Sequence, residues 1–318
     1  MKVYIKTPAR LHFGLIDLNG DLGRLYGGLG VGINQPNVIL EAQPSKTMII
    51  NGEKTDLVQM LANKFKETYK IKSNVMITVK QAIPEHSGLG SGTQLALAVA
   101  TAMTKLFNVK TTVQELALAM GRMQRTGVGT AIFEKGGFVV DGGKNTKNPQ
   151  CLLSPLIFRQ PFPEEWRFIV VVPNVEKGFS NNQEATAFKN VKPMSTEEVG
   201  KICRLIVLKL LPALAEKNIE TFGEALTQIQ NTIGDNFANV QYGRYTNPSA
   251  VANIEYLQKL GAYGVGQSSW GPALYGLFLK ENTKEITRKL QEFLNKKMGG
   301  QVFAAKAANR GAYIKILK

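Results

Sequence analysis

The residues best suited to chemistry lie in a few glycine-bearing stretches. The most telling is Pro84-Glu85-His86-Ser87-Gly88-Leu89-Gly90-Ser91-Gly92-Thr93-Gln94, set between a strand-like run, Val75–Val79, and a helix-like run, Leu95–Phe107. Glycine reaches φ > 0 and lets a ligand approach the main chain closely. The N–H groups that open a helix have no intrahelical partner, and the helix dipole adds partial positive charge there. Such a loop is a phosphate cradle, with the backbone of Gly88, Leu89, Gly90, Ser91, Gly92 and Thr93 as the donor set. It is not a Walker A loop, which continues Gly-Lys-Ser/Thr, and it lacks the G-x-G-x-x-G spacing of a dinucleotide fingerprint. The dipole alone contributes about 0.3–1 kcal/mol, so tight anion binding needs Arg or Lys from elsewhere.

A second cluster precedes it. Arg10, His12, Asp17, Asp21 and Arg24 fall within fifteen positions of a glycine-rich segment that continues to Gly32. Polar and charged residues gathered on such a backbone form a site candidate. Two further glycine turns follow: Arg125-Thr126-Gly127-Val128-Gly129-Thr130, running on to Gly136-Gly137, and Val265-Gly266-Gln267-Ser268-Ser269-Trp270-Gly271-Pro272.

The elements that must position these residues are legible in outline. Val3–Lys6, Val38–Gln43 and Met48–Ile50 read as strands, and residues 20–32 as looped and bulged chain because of their glycine density. Thr55–Tyr69 is an amphipathic helix with Leu57, Met60, Leu61 and Phe65 on one face, and Val113–Gln124 is another. Phe138–Val140 is a strand closed by Asp141-Gly142-Gly143. Residues 142–165, rich in Gly, Asn and Pro, mark the domain boundary, which gives domains of 1–155 and 156–318. Beyond it, Arg167–Val172 is a buried strand, and 174–188 a polar loop carrying Lys177, Ser180 and Glu184. Residues 196–239 are helical with a break at Pro212. Ser249–Leu260 and Ile286–Leu294 are helices, and Ala273–Leu279, Gln301–Ala305 and Tyr313–Leu317 are strands.

Length and composition bound the answer. The 318 residues suit two domains or one large one, and 44 % apolar content supports a sizeable core. The two cysteines, Cys151 and Cys203, form neither a zinc pattern nor a disulfide framework, which points to a reducing, cytoplasmic setting. Met1–Lys6 leads into no apolar leader, and the longest mostly apolar run, Leu95–Met103, is too short to cross a bilayer. Lys and Arg number 39 against 24 Asp and Glu, a net charge of +15. The basic residues are scattered, and no nucleic-acid motif accompanies them, so the charge fits a polyanionic small substrate better than nucleic acid or a membrane.

Three motifs now stand in order: Pro8-Ala9-Arg10…Gly14…Asp17, the central loop, and Gly266-x-Ser268-Ser269-x-Gly271-Pro272. Together they resemble the three motifs of the GHMP kinase superfamily. That resemblance implies an α+β fold of two domains, an N-terminal ribosomal-protein-S5-like domain with the phosphate loop and a C-terminal ferredoxin-like domain. The kinases carry Ser-Ser-Ala after the second loop glycine, and their second serine helps hold metal and phosphate; here the run is Ser91-Gly92-Thr93. Many also place an Asp seven residues before a Gly-Gly pair, where this chain has Gly129 followed by Thr130, neither of which takes up a proton at neutral pH. An ATP-dependent small-molecule kinase is thus the alternative, and a non-catalytic RNA- or nucleotide-binding protein a remoter one.

Pro8–Leu18, the loop ending Gly90-Ser91-Gly92-Thr93-Gln94, and Phe133-Glu134-x-Gly136-Gly137-Phe138-Val139-Val140-Asp141-Gly142-Gly143 together resemble a non-kinase branch, the β-ribofuranosylaminobenzene 5′-phosphate synthases. The resemblance implies a pentosyltransferase of methanopterin biosynthesis. Such an enzyme condenses phosphoribosyl pyrophosphate with 4-aminobenzoate or 4-hydroxybenzoate and releases CO2 and pyrophosphate. It also implies Mg2+ and a homodimer. On that chemistry Arg10 and the two histidines, His12 and His86, are catalytic candidates, since an unperturbed imidazole titrates near neutral pH. Arg24, Arg125, Ser268 and Ser269 are substrate-binding candidates, the guanidinium groups matching phosphate or carboxylate bidentately. Asp17, Asp21, Glu85, Glu134 and Asp141 are the carboxylates at hand for Mg2+, with no choice among them.

Overall fold

The computed structural model describes residues 1–148, 150, 153–175, 181–241 and 243–317, and for residues 181–185 the backbone alone. The first half runs β1 (Lys2–Lys6), β2 (Ala9–Asp17), β3 (Arg24–Ile33), β4 (Ile39–Ser45), β5 (Ile49–Gly52), α1 (Thr55–Tyr69), β6 (Asn74–Gln81), α2 (Ser91–Phe107), α3 (Val113–Ala119), α4 (Val128–Lys135), β7 (Phe138–Asp141), β8 (Lys144–Asn145) and β9 (Leu156–Gln160). It continues with β10 (Trp166–Pro173), α5 (Asn181–Asn190), α6 (Thr196–Leu205), a π-helical turn (Ile206–Leu210), α7 (Leu211–Glu216), α8 (Ile219–Phe237), α9 (Ser249–Lys259), β11 (Gly264–Gln267), β12 (Leu274–Leu279), α10 (Thr283–Lys297), β13 (Gly300–Lys306) and β14 (Tyr313–Leu317).

These elements form three sheets: β14-β1-β4-β6-β5; β2-β3-β7-β9, with β8 also on β3; and the antiparallel β11-β12-β10-β13. Helix α2 is apolar nearly all round, with every residue from Gln94 to Thr104 buried, which makes it a core helix packed on β1, β4 and α1. In the second half, Ile254 and Leu257 of α9 and Leu290 and Leu294 of α10 pack on Val171 and Leu274 of the third sheet. This is the expected two-domain α+β fold. Two strands from beyond residue 155 nevertheless complete sheets of the first half, β9 pairing with β7 and β14 with β1.

Several local expectations are corrected. The glycine-rich 24–33 segment is a regular strand, not a looped one. Its glycines serve close packing: a side chain on Gly28 would press on Thr126, Val128 and the His12 ring, and one on Gly30 would collide with the Leu11 carbonyl. Helix α1 buries Val58, Leu61, Ala62 and Phe65, while Met60 is 55 % exposed and faces the cleft described below. The helix expected to reach Gln124 ends at Ala119; Gly121 turns at φ 71°, and the Arg122 N–H closes on the Ala117 carbonyl at 2.7 Å. The turn expected from Arg125 to Gly137 contains α4. Pro212 lies in the first turn of α7 and breaks nothing; the chain breaks instead at Lys217, which is left-handed, and Asn218, which caps α8. Part of the polar loop at 174–188 is α5. Lys177, Ser180 and Cys151 lie outside the described residues, as does the side chain of Glu184.

Candidate active site

The glycine loop that opens α2 is held from both sides. Gly88 and Gly90 have φ of 84° and 83°, and Gly90 opens α2 with no side-chain cap and no acidic residue in the first turn. The leading N–H groups are therefore uncapped by the protein's own side chains. Below, the Arg10 N–H donates to the Leu89 carbonyl at 3.1 Å, and the Arg10 guanidinium donates to the Gly88 carbonyl. From the other domain, the Ser268 hydroxyl donates to the Gly88 carbonyl at 2.7 Å and accepts the His12 N–H at 3.0 Å. A side chain on Gly88 would strike the Ser268 carbonyl, and one on Gly271 would strike Gly88, so both positions must be glycine for the loops to meet.

Two adjoining chambers lie at this loop. The smaller, of about 440 Å3, is lined by Gly88, Gly90, Ser91, Gly92, Thr93, His86, Glu85 and Lys54. The larger, of about 720 Å3, is lined by His12, Arg125, Thr126, Lys64, Arg244 and an aromatic wall of Phe188, Phe237 and Trp270. Those three rings pack with centroids 4.7–5.7 Å apart. Arg10, Met60, Thr93, Arg122, Ser269 and Trp270 border both chambers. Arg10, Lys54, Lys64, Arg122, Arg125 and Arg244 thus surround a cleft whose one lining carboxylate, among the described residues, is Glu85. Such a field favours a polyanion.

His12 is placed by a β-bulge in β2, where the register slips between His12 and Gly14. The Gly14 N–H donates to His12 Nδ1 at 3.1 Å, so in the neutral ring the proton sits on Nε2, which faces Thr126 Oγ1 at 3.3 Å. Burial, aided by the Arg10 charge, pushes the His12 pKa down to about 3. His12 is therefore not the near-neutral titrating base expected from its residue type; it is a neutral donor that orients Thr126. His86 has φ 56° and lines the smaller chamber. Arg125 lies over the Phe188 ring at 3.8 Å in the larger one.

The remaining candidates are dispersed. Ser268 is fully buried and lines neither chamber, whereas Ser269 lines both. Arg24 donates to the carbonyls of Gly142 and Gly143 at 3.3 and 3.0 Å, away from the cleft. Asp17 accepts the N–H groups of Asn19 and Gly20, Asp21 accepts the Thr196 hydroxyl, and Glu134 accepts from Gln114. Asp141 is buried beneath α4, accepting from Gly127 at 3.0 Å and Gly143 at 2.9 Å. Burial raises its pKa to about 6 against those bonds. Only Glu85 of the five carboxylates reaches the cleft, where Lys54 pairs with it at 3.1 Å. Among the described residues no three of His, Cys, Asp and Glu gather as a metal site.

Arg122 is the residue that sequence reasoning missed, because it fell inside a helix read as running to Gln124 that in fact ends at Ala119. Gly121, a glycine just past a run of helical periodicity, was the available signal for a helix end. The guanidinium leans on the start of α2: a Cβ built on Gly92 would lie 3.1 Å from its Nη1. Its Nε is buried without a hydrogen-bond partner, and burial lowers its pKa.

Fold and loop together define a GHMP-type protein, and comparison with known proteins agrees. The family described as GHMP kinases N terminal domain matches residues 56–137, and GHMP kinases C terminal matches 210–296. Homoserine kinase from Cytophaga hutchinsonii superposes with a TM-score of 0.69 at 17 % identity, covering 99 % of this chain and 97 % of that one. Lactococcus lactis galactokinase, solved with galactose, superposes with a TM-score of 0.70 at 14 % identity over 98 % of this chain and 95 % of that one. At such identities these likenesses show the fold alone. Sequence relatives go further. Beta-ribofuranosylphenol 5'-phosphate synthase of Archaeoglobus fulgidus is 35 % identical, covering 98 % of this chain and 99 % of that protein. Its namesake in Methanothermobacter thermautotrophicus is 32 % identical over 99 % of both. The chain belongs to the beta-ribofuranosylphenol 5'-phosphate synthase family, whose members are pentosyltransferases. Among the described residues, no helix is long and apolar enough to cross a membrane.

Proposed function

We propose that this chain joins C1 of phosphoribosyl pyrophosphate to the carboxylate-bearing carbon of 4-hydroxybenzoate, with loss of CO2 and pyrophosphate, as a step of methanopterin biosynthesis. The observation that carries the proposal is the pairing of a phosphate-loop chamber with an aromatic, cation-lined chamber in one cleft. The relatives' names, which specify a ribofuranosylphenol, favour 4-hydroxybenzoate over 4-aminobenzoate.

In this reading the N–H groups and hydroxyls of the loop hold phosphate, and Arg10, which already grips the loop, adds charge there. Phe188, Phe237 and Trp270 bound the space for the benzoate ring, with Arg125 and Thr126 as polar contacts. The C1–O bond breaks and its electron pair leaves with pyrophosphate. The ring carbon forms the new C–C bond, the carboxylate departs as CO2, and the electron pair of the broken C–C bond restores aromaticity. No C–H proton is removed, which is consistent with a His12 held neutral. Glu85, the one carboxylate lining the cleft among the described residues, would be the protein group to hold a Mg2+ ion that arrives with the diphosphate, and such an ion would supply charge neutralisation there.

The test is release of labelled CO2 from carboxyl-labelled 4-hydroxybenzoate and 4-aminobenzoate. Release that depends on phosphoribosyl pyrophosphate supports the proposal, and the faster acid identifies the acceptor. No release from either acid, with ADP formed from ATP and a small acceptor, returns the chain to kinase chemistry.

A further inference from the structure

We infer that Arg122 is a catalytic residue whose guanidinium grips the leaving diphosphate at the junction of the two chambers. The inference rests on the synthase reading of the cleft.

Four observations carry it. Arg122 borders both chambers, so a group bound at its tip touches the boundary between the phosphate loop and the aromatic space. Its guanidinium lies against Gly92, the second residue of α2, where the uncapped N–H groups of the helix begin. Its Nε is buried with no partner, and no carboxylate pairs with Arg122 among the described residues. A partly buried guanidinium without a counter-ion is costly, and an anion bound in the cleft removes that cost. Gly92 also gives the contact a local cause, because a Cβ there would crowd the guanidinium, which would have to give by a few tenths of an ångström.

Two anions compete for this position, the diphosphate and the benzoate carboxylate. The chemistry separates them. Charge grows on the diphosphate as the C1–O bond breaks, so a fixed cation there stabilises the transition state more than the ground state. The carboxylate loses its charge as CO2 forms, and a desolvated cation on it would hold the ground state back. Placement beside Gly92, on the loop side of the junction, agrees with the diphosphate.

The experiment compares wild type, Arg122→Lys, Arg122→Gln and Gly92→Ala. Binding of inorganic pyrophosphate is measured by calorimetry, and steady-state rates are measured for both substrates. Arg122→Gln is expected to weaken pyrophosphate at least tenfold and to lower kcat by about 10²–10³, the usual loss for one transition-state donor, with the KM for 4-hydroxybenzoate little changed. Arg122→Lys keeps the charge but not the fork and falls between. Gly92→Ala retains Arg122 and crowds its guanidinium by a few tenths of an ångström, and is expected to lower kcat by a smaller factor than Arg122→Gln, which guards against a glutamine variant that simply fails to fold. Pyrophosphate affinity and kcat equal to wild type in Arg122→Gln would overturn the inference while leaving the synthase reading intact. A raised KM for the benzoate with pyrophosphate binding unchanged would also overturn it, moving Arg122 to the carboxylate. A wild type that binds no pyrophosphate and consumes no phosphoribosyl pyrophosphate would sink the synthase reading, and this inference with it.

Discussion

Replacing Ser268 with alanine isolates the strut between the domains. Its hydroxyl donates to the Gly88 carbonyl at 2.7 Å and accepts the His12 N–H at 3.0 Å, and the residue is fully buried. The two losses are unequal. Gly88 keeps a second donor in the Arg10 guanidinium, so its carbonyl is not stranded. The His12 N–H loses the side-chain partner that the hydroxyl supplied, in a place water does not reach. A buried donor left unmade costs about 1–3 kcal/mol, and the second bond adds roughly 0.5–1.5, so the expected loss is about 2–4 kcal/mol. For a chain of this size that corresponds to a fall in Tm of roughly 3–6 °C. Function should follow, since the strut fixes Gly88: KM for phosphoribosyl pyrophosphate should rise. Urea unfolding of Ser268→Ala and Ser269→Ala gives the contrast, because Ser269 is exposed in the cleft and its change should stay within about 0.5 kcal/mol. A loss below about 0.5 kcal/mol in Ser268→Ala, or equal losses in the two variants, would refute the strut.

His12 sets a pH dependence with a definite sign. Its folded pKa of about 3 lies below the ordinary imidazole value of 6.5, so its contribution is present above pH 6.5 and is lost as pH falls toward 3. Between pH 6.5 and 5 the loss is about 1.6 kcal/mol, and urea unfolding of His12→Asn across that range should show a shallower decline than wild type. Asp141 acts oppositely: its pKa is raised from 3.8 to about 6, so its contribution is complete below 3.8 and lost as pH rises through about 6. A pH–rate profile should carry no limb near 6.5 that His12→Asn abolishes. Glu85→Gln should raise the Mg2+ concentration for half-maximal rate severalfold, while Asp17→Asn and Glu134→Gln leave it unchanged; equal effects in all three would remove Glu85 from the metal. Phe188→Ala should raise the benzoate KM about fivefold, the worth of an aromatic contact of roughly 1 kcal/mol, without moving pyrophosphate affinity. A shift in pyrophosphate instead would misplace the ring.

The sequence alone determined the parts whose physics is local. Gly88-x-Gly90-Ser91 before an apolar helical run marks a left-handed turn into a helix, whatever surrounds it, and that turn and helix start are found there. The order of three motifs likewise carried the family, since motif identity survives without coordinates. Tertiary structure decided what depends on which distant groups meet. Ser268 lies 180 positions from Gly88, and only packing turns a substrate candidate into a strut. His12 is a switchable residue by type, but burial and the Gly14 N–H fix its proton. Five carboxylates were equal in sequence; folding sent one to the cleft and spent the others on turns, a helix start and surface contacts. Arg122 was hidden by a helical pattern that outlasts its helix, because periodicity records which residues are apolar, not where the backbone hydrogen bonds stop.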